Sequence, residues 1–375
     1  PPVVTLGHAA DLIVREGTTV KLSADGTRDP DGDNLTYSWW QYAEADTYKG
    51  VVKIQNSNKE EASFTVPNDV ESGETIHVVC EVTDGGTPQL TRYQRVVITI
   101  KPFTKAEIPE KIEPFITPFG EFNFQRPQFR DTTVSIIDFG AQEGGKFKNT
   151  TAINNAIKQL SESGGGTVIV PPGKWLTGPI VLLSNINFHL KEGAELLFSQ
   201  DFDDYLPAVL TNIEGSEVYS YSPFIYSFKQ ENIAVTGKGV LNGQGKPWWE
   251  QRKKEGYSKS PHLLRKMNEN EVPLNERRFG STERFIPPVF FGPLYCKNIL
   301  LEGVTFKYGA FWTINPSFCE NIIIRGVYVL TDGDYGNTPN GDGINPNSCT
   351  NVLIEYNTLD TGDDCITLKS GRNKD

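Results

Sequence analysis

Two short segments near the end of the chain carry acidic side chains at a spacing that could do hydrolytic chemistry. Asp342 lies in NGDGINP (340–346), and Asp363 and Asp364 lie in TGDDCITL (361–368). Asp364 follows Asp342 by 22 residues, and the segments align residue for residue, Asp342 over Asp364 and Ile344 over Ile366. That step is one coil of a parallel β-helix, whose repeats run about 20–30 residues. Stacked coils stand about 4.8 Å apart, so the three carboxylates should crowd one patch of surface. Carboxylates that close repel one another and raise at least one pKa. One group can then donate a proton while another accepts one, the division of labour that glycoside hydrolysis needs.

The elements that must position these groups repeat as well. CKNILLEGVTF begins at Cys296, CENIIIRGVYV at Cys319 and CTNVLIEYNTL at Cys349, each a Cys-x-Asn followed by three aliphatic residues. Weaker copies occupy 184–198 and 231–243. Repetition at this period predicts a solenoid. The Asn residues are expected to stack as an internal ladder that satisfies backbone groups at a tight bend, with the Cys beside them as small apolar fillers. A Cys once per coil lacks the compact spacing of a zinc site. Upstream, TAINNAIKQLSES predicts an amphipathic helix capped by Asn149 or Thr150, with Ile153, Ile157 and Leu160 on one face. It would cover the open end of the first coil.

Residues 1–101 read differently, as short alternating runs separated by turn signals, the pattern of a small β-sandwich. The stretch GTRDPDGDNLTYSWW resembles the PKD and cadherin-like immunoglobulin-fold modules of secreted bacterial proteins. Asp29, Asp31 and Asp33 could offer oxygen ligands to Ca²⁺. The alternative is an Asx-rich turn closed by side-chain to backbone hydrogen bonds. Residues 102–131, punctuated by Pro102, Pro109, Pro114, Pro118 and Pro127, read as a linker whose Phe residues pack on a neighbour. The solenoid then occupies 132–375. The predicted class is all-β, a right-handed parallel β-helix preceded by a small β-sandwich.

Bulk composition narrows the function. The 375 residues are 37% hydrophobic, with 35 Gly and 24 Pro but a single Met, which suits a turn-rich β protein. A net charge of −11 argues against nucleic acid and mildly against a polyanion, unless basic residues gather in the cleft. No run approaches the roughly 18 apolar residues of a membrane span. The chain opens on Pro1-Pro2, so any signal peptide is expected to have been removed or to lie outside this sequence. The five Cys, three of them (Cys296, Cys319 and Cys349) recurring once per coil, suggest packing more than disulfides. His8, His77, His189 and His262 pair with no nucleophile, and no phosphate-binding or nucleophile-elbow motif is present.

The run NGDGINPNSCTNVLIEYNTLDTGDDCITLKSG resembles glycoside hydrolase family 28, the polygalacturonases and their relatives, and 137–180 resembles that family's N-terminal cap and first coil. The family's usual Asn-Thr-Asp reads Asn340-Gly341-Asp342 here, while Gly362-Asp363-Asp364-Cys365 matches in full. The resemblance implies Asp363 as general acid and Asp342 with Asp364 as the pair that activates water, with inversion at the anomeric carbon. It implies an exo-acting polygalacturonase on pectic polymers, with rhamnogalacturonan as the alternative substrate. No cofactor is implied, and a secreted or periplasmic monomer is expected. The Gly-His-Gly and Arg-x-Lys segments that normally follow are not found before Asp375, so the chain is expected to be the front part of a longer enzyme.

Further site candidates surround these. Asn340 is expected beside the substrate. Trp312, one coil before Asp342, could stack on a sugar ring or fill the core. Lys369 and Arg372 could grip a substrate carboxylate or be solvated. The charged insertion 244–287, with Arg277, Arg278 and Arg284, could wall one end of the cleft and favour attack at chain ends, or be a solvated helical excursion. A non-catalytic carbohydrate-binding β-helix and a polysaccharide lyase are the competing classes; the acidic trio favours hydrolysis over binding alone.

Overall fold

The computed structural model describes residues 1–67, 70, 73–100, 107–256, 259–331 and 338–370. They divide into two compact units, Pro1–Thr104 and Lys105–Asp375.

In the first unit, Asp11–Val14, Thr91–Ile100, Thr75–Asp84 and Leu35–Gln41 form a four-stranded sheet, and Thr19–Ser23 pairs with Glu61–Thr65. Val20, Leu22 and Phe64 from the small sheet share one core with Trp39, Ile76, Val78 and Ile98 from the large one. Alternation does this: Trp39 is buried while Trp40 faces outward. The Asp29 carboxylate accepts from the backbone N–H of Asp31 (2.8 Å) and Asp33 (3.3 Å). These two bonds form the Asx turn that is one of the two readings of this segment.

The second unit is a parallel β-helix. Its first sheet has seven strands, from Thr133–Ser135 to Thr350–Glu355, and its second has six, from Gly173–Thr177 to Thr358–Asp360. The third holds Ile180–Val181, Ile225–Phe228 and Phe291–Leu294, extended by parallel bridges Phe291–Ile314, Ile314–Ile344 and Ile344–Ile366. Parallel crossovers of this kind wind right-handed. Helix α1 (Thr150–Glu162) buries Ala152, Ile153, Ala156, Ile157 and Leu160 over the first coil. Asn149 stands at its cap position but makes no capping bond. Its side chain instead donates to the carbonyls of Gln142, Phe147 and Leu176, stitching the preceding loop to the first coil.

The triple aliphatic runs have a physical reason. Ile299 and Leu301, and Ile322 and Ile324, point into the solenoid core. The residue between each pair, Leu300 or Ile323, points outward, where Ile112, Phe124 and Phe129 cover it together with Ala234 and Leu353. A strand buried on both faces reads as a continuous apolar run. The Pro-punctuated segment is thus a strap on the first sheet. It is fastened by Arg126 to Glu302 at 2.8 Å and by Arg325 Nη2 donating to the Pro109 carbonyl at 3.0 Å.

The asparagines do form a ladder. Asn232 donates to Asn185, Asn298 to Asn232, Asn321 to Asn298 and Asn351 to Asn321, at 3.0–3.1 Å. Each sits at φ between 53° and 61°, a left-handed bend that Asn tolerates better than most residues. The ladder differs from expectation in two ways: it lies on a partly exposed flank, and its amides satisfy one another more than the backbone. Cys296, Cys319 and Cys349 stack inside it as free thiols.

Candidate active site

The third sheet places the acidic motifs. Because Ile314, Ile344 and Ile366 pair in register, Trp312, Asp342 and Asp364 fall at equivalent positions of three successive coils. Gly343 N donates to the Asp364 carbonyl and Thr313 N to the Asp342 carbonyl, each at 2.9 Å, fixing that register through the motifs themselves. Asp363 precedes Asp364 at the turn, and its Oδ1 accepts from the Asp364 backbone N–H at 2.9 Å.

The motif's central glycine has a steric cause. A Cβ at 341 would stand 2.7 Å from Thr331 Oγ1 and 2.8 Å from the Thr338 carbonyl. The Thr331 hydroxyl donates to the Gly341 carbonyl (2.7 Å) and accepts from the Gly362 N–H (3.2 Å), so one buried side chain ties both acidic loops together. Nothing in the sequence marks Thr331, since it carries no chemistry of its own.

The carboxylates have different surroundings. Asp342 is buried; its Oδ2 accepts from Asn345 Nδ2 at 3.1 Å and from Lys369 Nζ at 3.4 Å. Burial pushes its carboxyl above the usual range, Asp363 adds to that, and Lys369 and Asn345 oppose it. The expected rise is therefore present, but desolvation and not mutual repulsion is its main cause. Asp363 and Asp364 are exposed. Asn340 Nδ2 donates to Asp363 Oδ2 at 3.4 Å, and Thr367 Oγ1 to Asp364 Oδ2 at 3.1 Å.

Trp312 does not offer a stacking face. It is 5% exposed, stacks on Phe311 with ring centroids 4.7 Å apart, and packs with Ile213, Val289 and Leu264. The Lys369 ammonium lies 4.2 Å from its ring centroid. Core packing is the role it fills. Lys369 likewise is engaged within the protein, and Arg372 lies outside the described residues.

The insertion folds as α2 (Lys246–Glu255) and α3 (Lys259–Glu269). Arg252 of α2 lies over the Phe311 ring at 4.9 Å and donates to the Pro339 carbonyl at 3.3 Å, one residue before Asn340. Next to it, the hairpin Val209–Ile213/Ser216–Ser220 is joined to the third sheet where Asn347 donates to Asn212 at 2.8 Å. Arg277 is buried and donates to the Val272 carbonyl at 2.9 Å, while Arg278 lies over Tyr219 at 4.8 Å. These two arginines build the insertion, and Arg284 reaches the Arg278 carbonyl at 3.4 Å.

Carboxylates stacked at the turn of one sheet of a parallel β-helix form a site that can do acid–base chemistry. Residues 280–374 match the glycosyl hydrolases family 28 model, and residues 19–100 match the C-terminal domain of the cellulose-binding protein Sde0182. The protein "Probable polygalacturonase" of Vitis vinifera is 30% identical over 251 residues, 64% of this chain and 45% of its own length. The exo-poly-alpha-D-galacturonosidase of Dickeya chrysanthemi is 27% identical over 64% of this chain and 42% of its own. The crystal structure of a hyperthermoactive exopolygalacturonase from Thermotoga maritima superposes with a TM-score of 0.60 at 40% identity, covering 66% of this chain and 57% of that one. Over residues 280–374 the β-helix unit is thus similar to the glycosyl hydrolases of family 28. The chain spans about half the length of the curated relatives it matches.

Proposed function

We propose that this protein is an exo-acting polygalacturonase, an inverting hydrolase of α-1,4-galacturonosyl bonds, acting outside the cytoplasm where pectic polymers occur. One observation carries the reading: Asp342 and Asp364 stand in register on adjacent coils, with Asp363 beside them and hydrogen-bonded to Asn340. Asp363, exposed to solvent, protonates the leaving glycosidic oxygen. Asp342 and Asp364 hold a water between adjacent coils and take its proton as it attacks the opposite face. Asn340 orients Asp363 and meets the substrate beside it. The exo character rests on the exopolygalacturonase names among the relatives and on α2, whose Arg252 reaches the Asn340 loop and can close one end of the groove.

The test is the product profile on polygalacturonate and, separately, on rhamnogalacturonan oligosaccharides, with Asp363→Asn as control. Galacturonate monomer that the variant fails to release is the expected result. Cleavage of only the second substrate would move the activity to rhamnogalacturonan. Unsaturated products absorbing in the near ultraviolet would mean a lyase.

For the N-terminal module, the reading is a polysaccharide contact. Its match is to a domain of a cellulose-binding protein. Trp40, Tyr42 and Tyr93 are exposed on the outer face of its four-stranded sheet, where ring faces suit the apolar face of a pyranose.

A further inference from the structure

We propose that Lys369 is a positioning residue of the hydrolytic site: it is the fixed counter-ion that keeps Asp342 ionised and aimed, and it is not a grip for the substrate's carboxylate. This rests on Asp342 serving as a base. The Asp342 side chain is 5% exposed and that of Lys369 22%, so their 3.4 Å contact lies largely out of water. An ion pair in that setting is screened far less than one on the surface. The ammonium has no slack, because it also stands 4.2 Å from the Trp312 ring centroid, a cation–π contact from the coil on the other side of Asp342. Its backbone is pinned too: Lys369 N donates to the Pro346 carbonyl at 3.0 Å, and its carbonyl accepts from Ser348 N at 2.8 Å.

The direction of these contacts is as informative as their length. Lys369 Nζ and Asn345 Nδ2 both bind Oδ2 of Asp342. Among the described residues no side chain donates to Oδ1, so that oxygen keeps its lone pairs for a water. A lysine that gripped the substrate would stand free in the groove; this one is spent on the base. Among the described residues, the charged groups around Asp342 are few. Lys369 faces it from the next coil and favours the carboxylate, Asp363 opposes it from the turn, and Asp364 stands in register beyond. The preceding coil contributes the neutral Trp312 and Thr313, and from α2 Arg252 reaches only the Pro339 carbonyl and the Phe311 ring. Burial alone would push Asp342 toward its neutral form, and Lys369 is the largest opposing influence.

The experiment compares the native protein with Lys369→Met and Lys369→Arg. The Asp342 carboxyl is titrated by ¹³C NMR in aspartate-labelled protein, its resonance assigned by loss in Asp342→Asn. In parallel, the pH profiles of kcat and kcat/KM are measured on an oligogalacturonide. With Met, the Asp342 midpoint should rise by about one pH unit or more. The acidic limb of kcat should move up with it, because the base then needs higher pH to ionise, while KM changes little. Arg should restore most of the midpoint. An unchanged midpoint in the Met variant overturns the proposal. So does a KM increase of roughly tenfold or more with an unmoved acidic limb, which assigns Lys369 to the substrate. If the native protein hydrolyses nothing, the hydrolase reading fails, and the NMR midpoint still decides by itself whether Lys369 holds Asp342 ionised.

Discussion

At the scale of single residues, the site pairs a buried carboxylate with exposed ones, and the two kinds should answer substitution differently. Asp363 is exposed and held by Asn340. Asp363→Asn should leave the unfolding temperature nearly unchanged and lower kcat on polygalacturonate by about 10²–10⁴-fold, the usual contribution of a positioned general acid. Paired melting curves and initial rates check both halves, and a loss below tenfold would reassign the proton donor. Asp342 binds its proton more tightly in the folded chain than in the unfolded one, because burial opposes its charge. Ionising it therefore costs stability as pH rises from the ordinary carboxylate value of 3.8 through its raised native value. Asn imitates the protonated acid and escapes that cost. Asp342→Asn should melt higher than the native protein near neutral pH, with the gap closing as pH falls below the ordinary carboxylate range. A gap that widened toward low pH would mean the pair with Lys369, and not desolvation, governs this carboxyl. An inactive variant that is more stable than its parent is what a functional site that works against folding produces.

At the scale of elements, the asparagine ladder and the strap decide whether the coils stay in register. Asn321 donates to Asn298, accepts from Asn351 and holds φ at 56°. Asn321→Ala loses two hydrogen bonds, about 0.5–1.5 kcal/mol each, and places a less suited residue in the left-handed region, about 1 kcal/mol more. Denaturant unfolding should show a loss of about 2–4 kcal/mol, and Asn321→Gly should recover only the backbone part. Equal losses for Ala and Gly would mean that the bend contributes nothing. The ladder was legible from Cys-x-Asn because each coil must solve the same bend with the same residue. Its exposure was not, since the pattern gives the period and leaves open which side of the bend the amide takes. The in-register carboxylates could likewise be read from NGDGINP over TGDDCITL, because a solenoid converts sequence spacing directly into spatial stacking. The strap could not. Residues 107–131 carry no period, and their docking depends on Phe124, Phe129 and Arg126 meeting side chains as distant in sequence as Glu302 and Leu353. The fates of Trp312 and Lys369 were hidden for a similar reason: each is decided by the other, across the coil of Asp342 that lies between them.

At the scale of the whole molecule, a β-helix with the proposed hydrolytic site and a β-sandwich share one chain, and the sandwich shows a surface that its own fold does not need. Trp39 and Trp40 are adjacent, yet one is 2% exposed and the other 37%. Pairing of Trp40 with Val79 and of Tyr93 with Glu81 puts Trp40 and Tyr93 on the same face of the sheet, with Val79 and Glu81 of the intervening strand between them. Burying aromatics is worth more than burying most side chains, so a sheet that leaves Trp40, Tyr42 and Tyr93 in solvent forgoes stability that packing would have supplied. A polysaccharide strand laid over these rings would recover part of it, and would keep the solenoid near its substrate by raising the local concentration of chain. Affinity electrophoresis of the full chain through gels holding hydroxyethyl cellulose or polygalacturonate measures this directly. Trp40→Ala should weaken retention by up to about tenfold, since one aromatic stack contributes about 0.5–1.5 kcal/mol, and Trp40→Phe should restore part of it. Retention by cellulose but not by polygalacturonate would make the module an anchor to the neutral polymers that surround pectin, in keeping with the net charge of −11. Mobility identical for the native protein and Trp40→Ala in both gels would remove the module from carbohydrate binding altogether and leave its aromatic face to a protein partner.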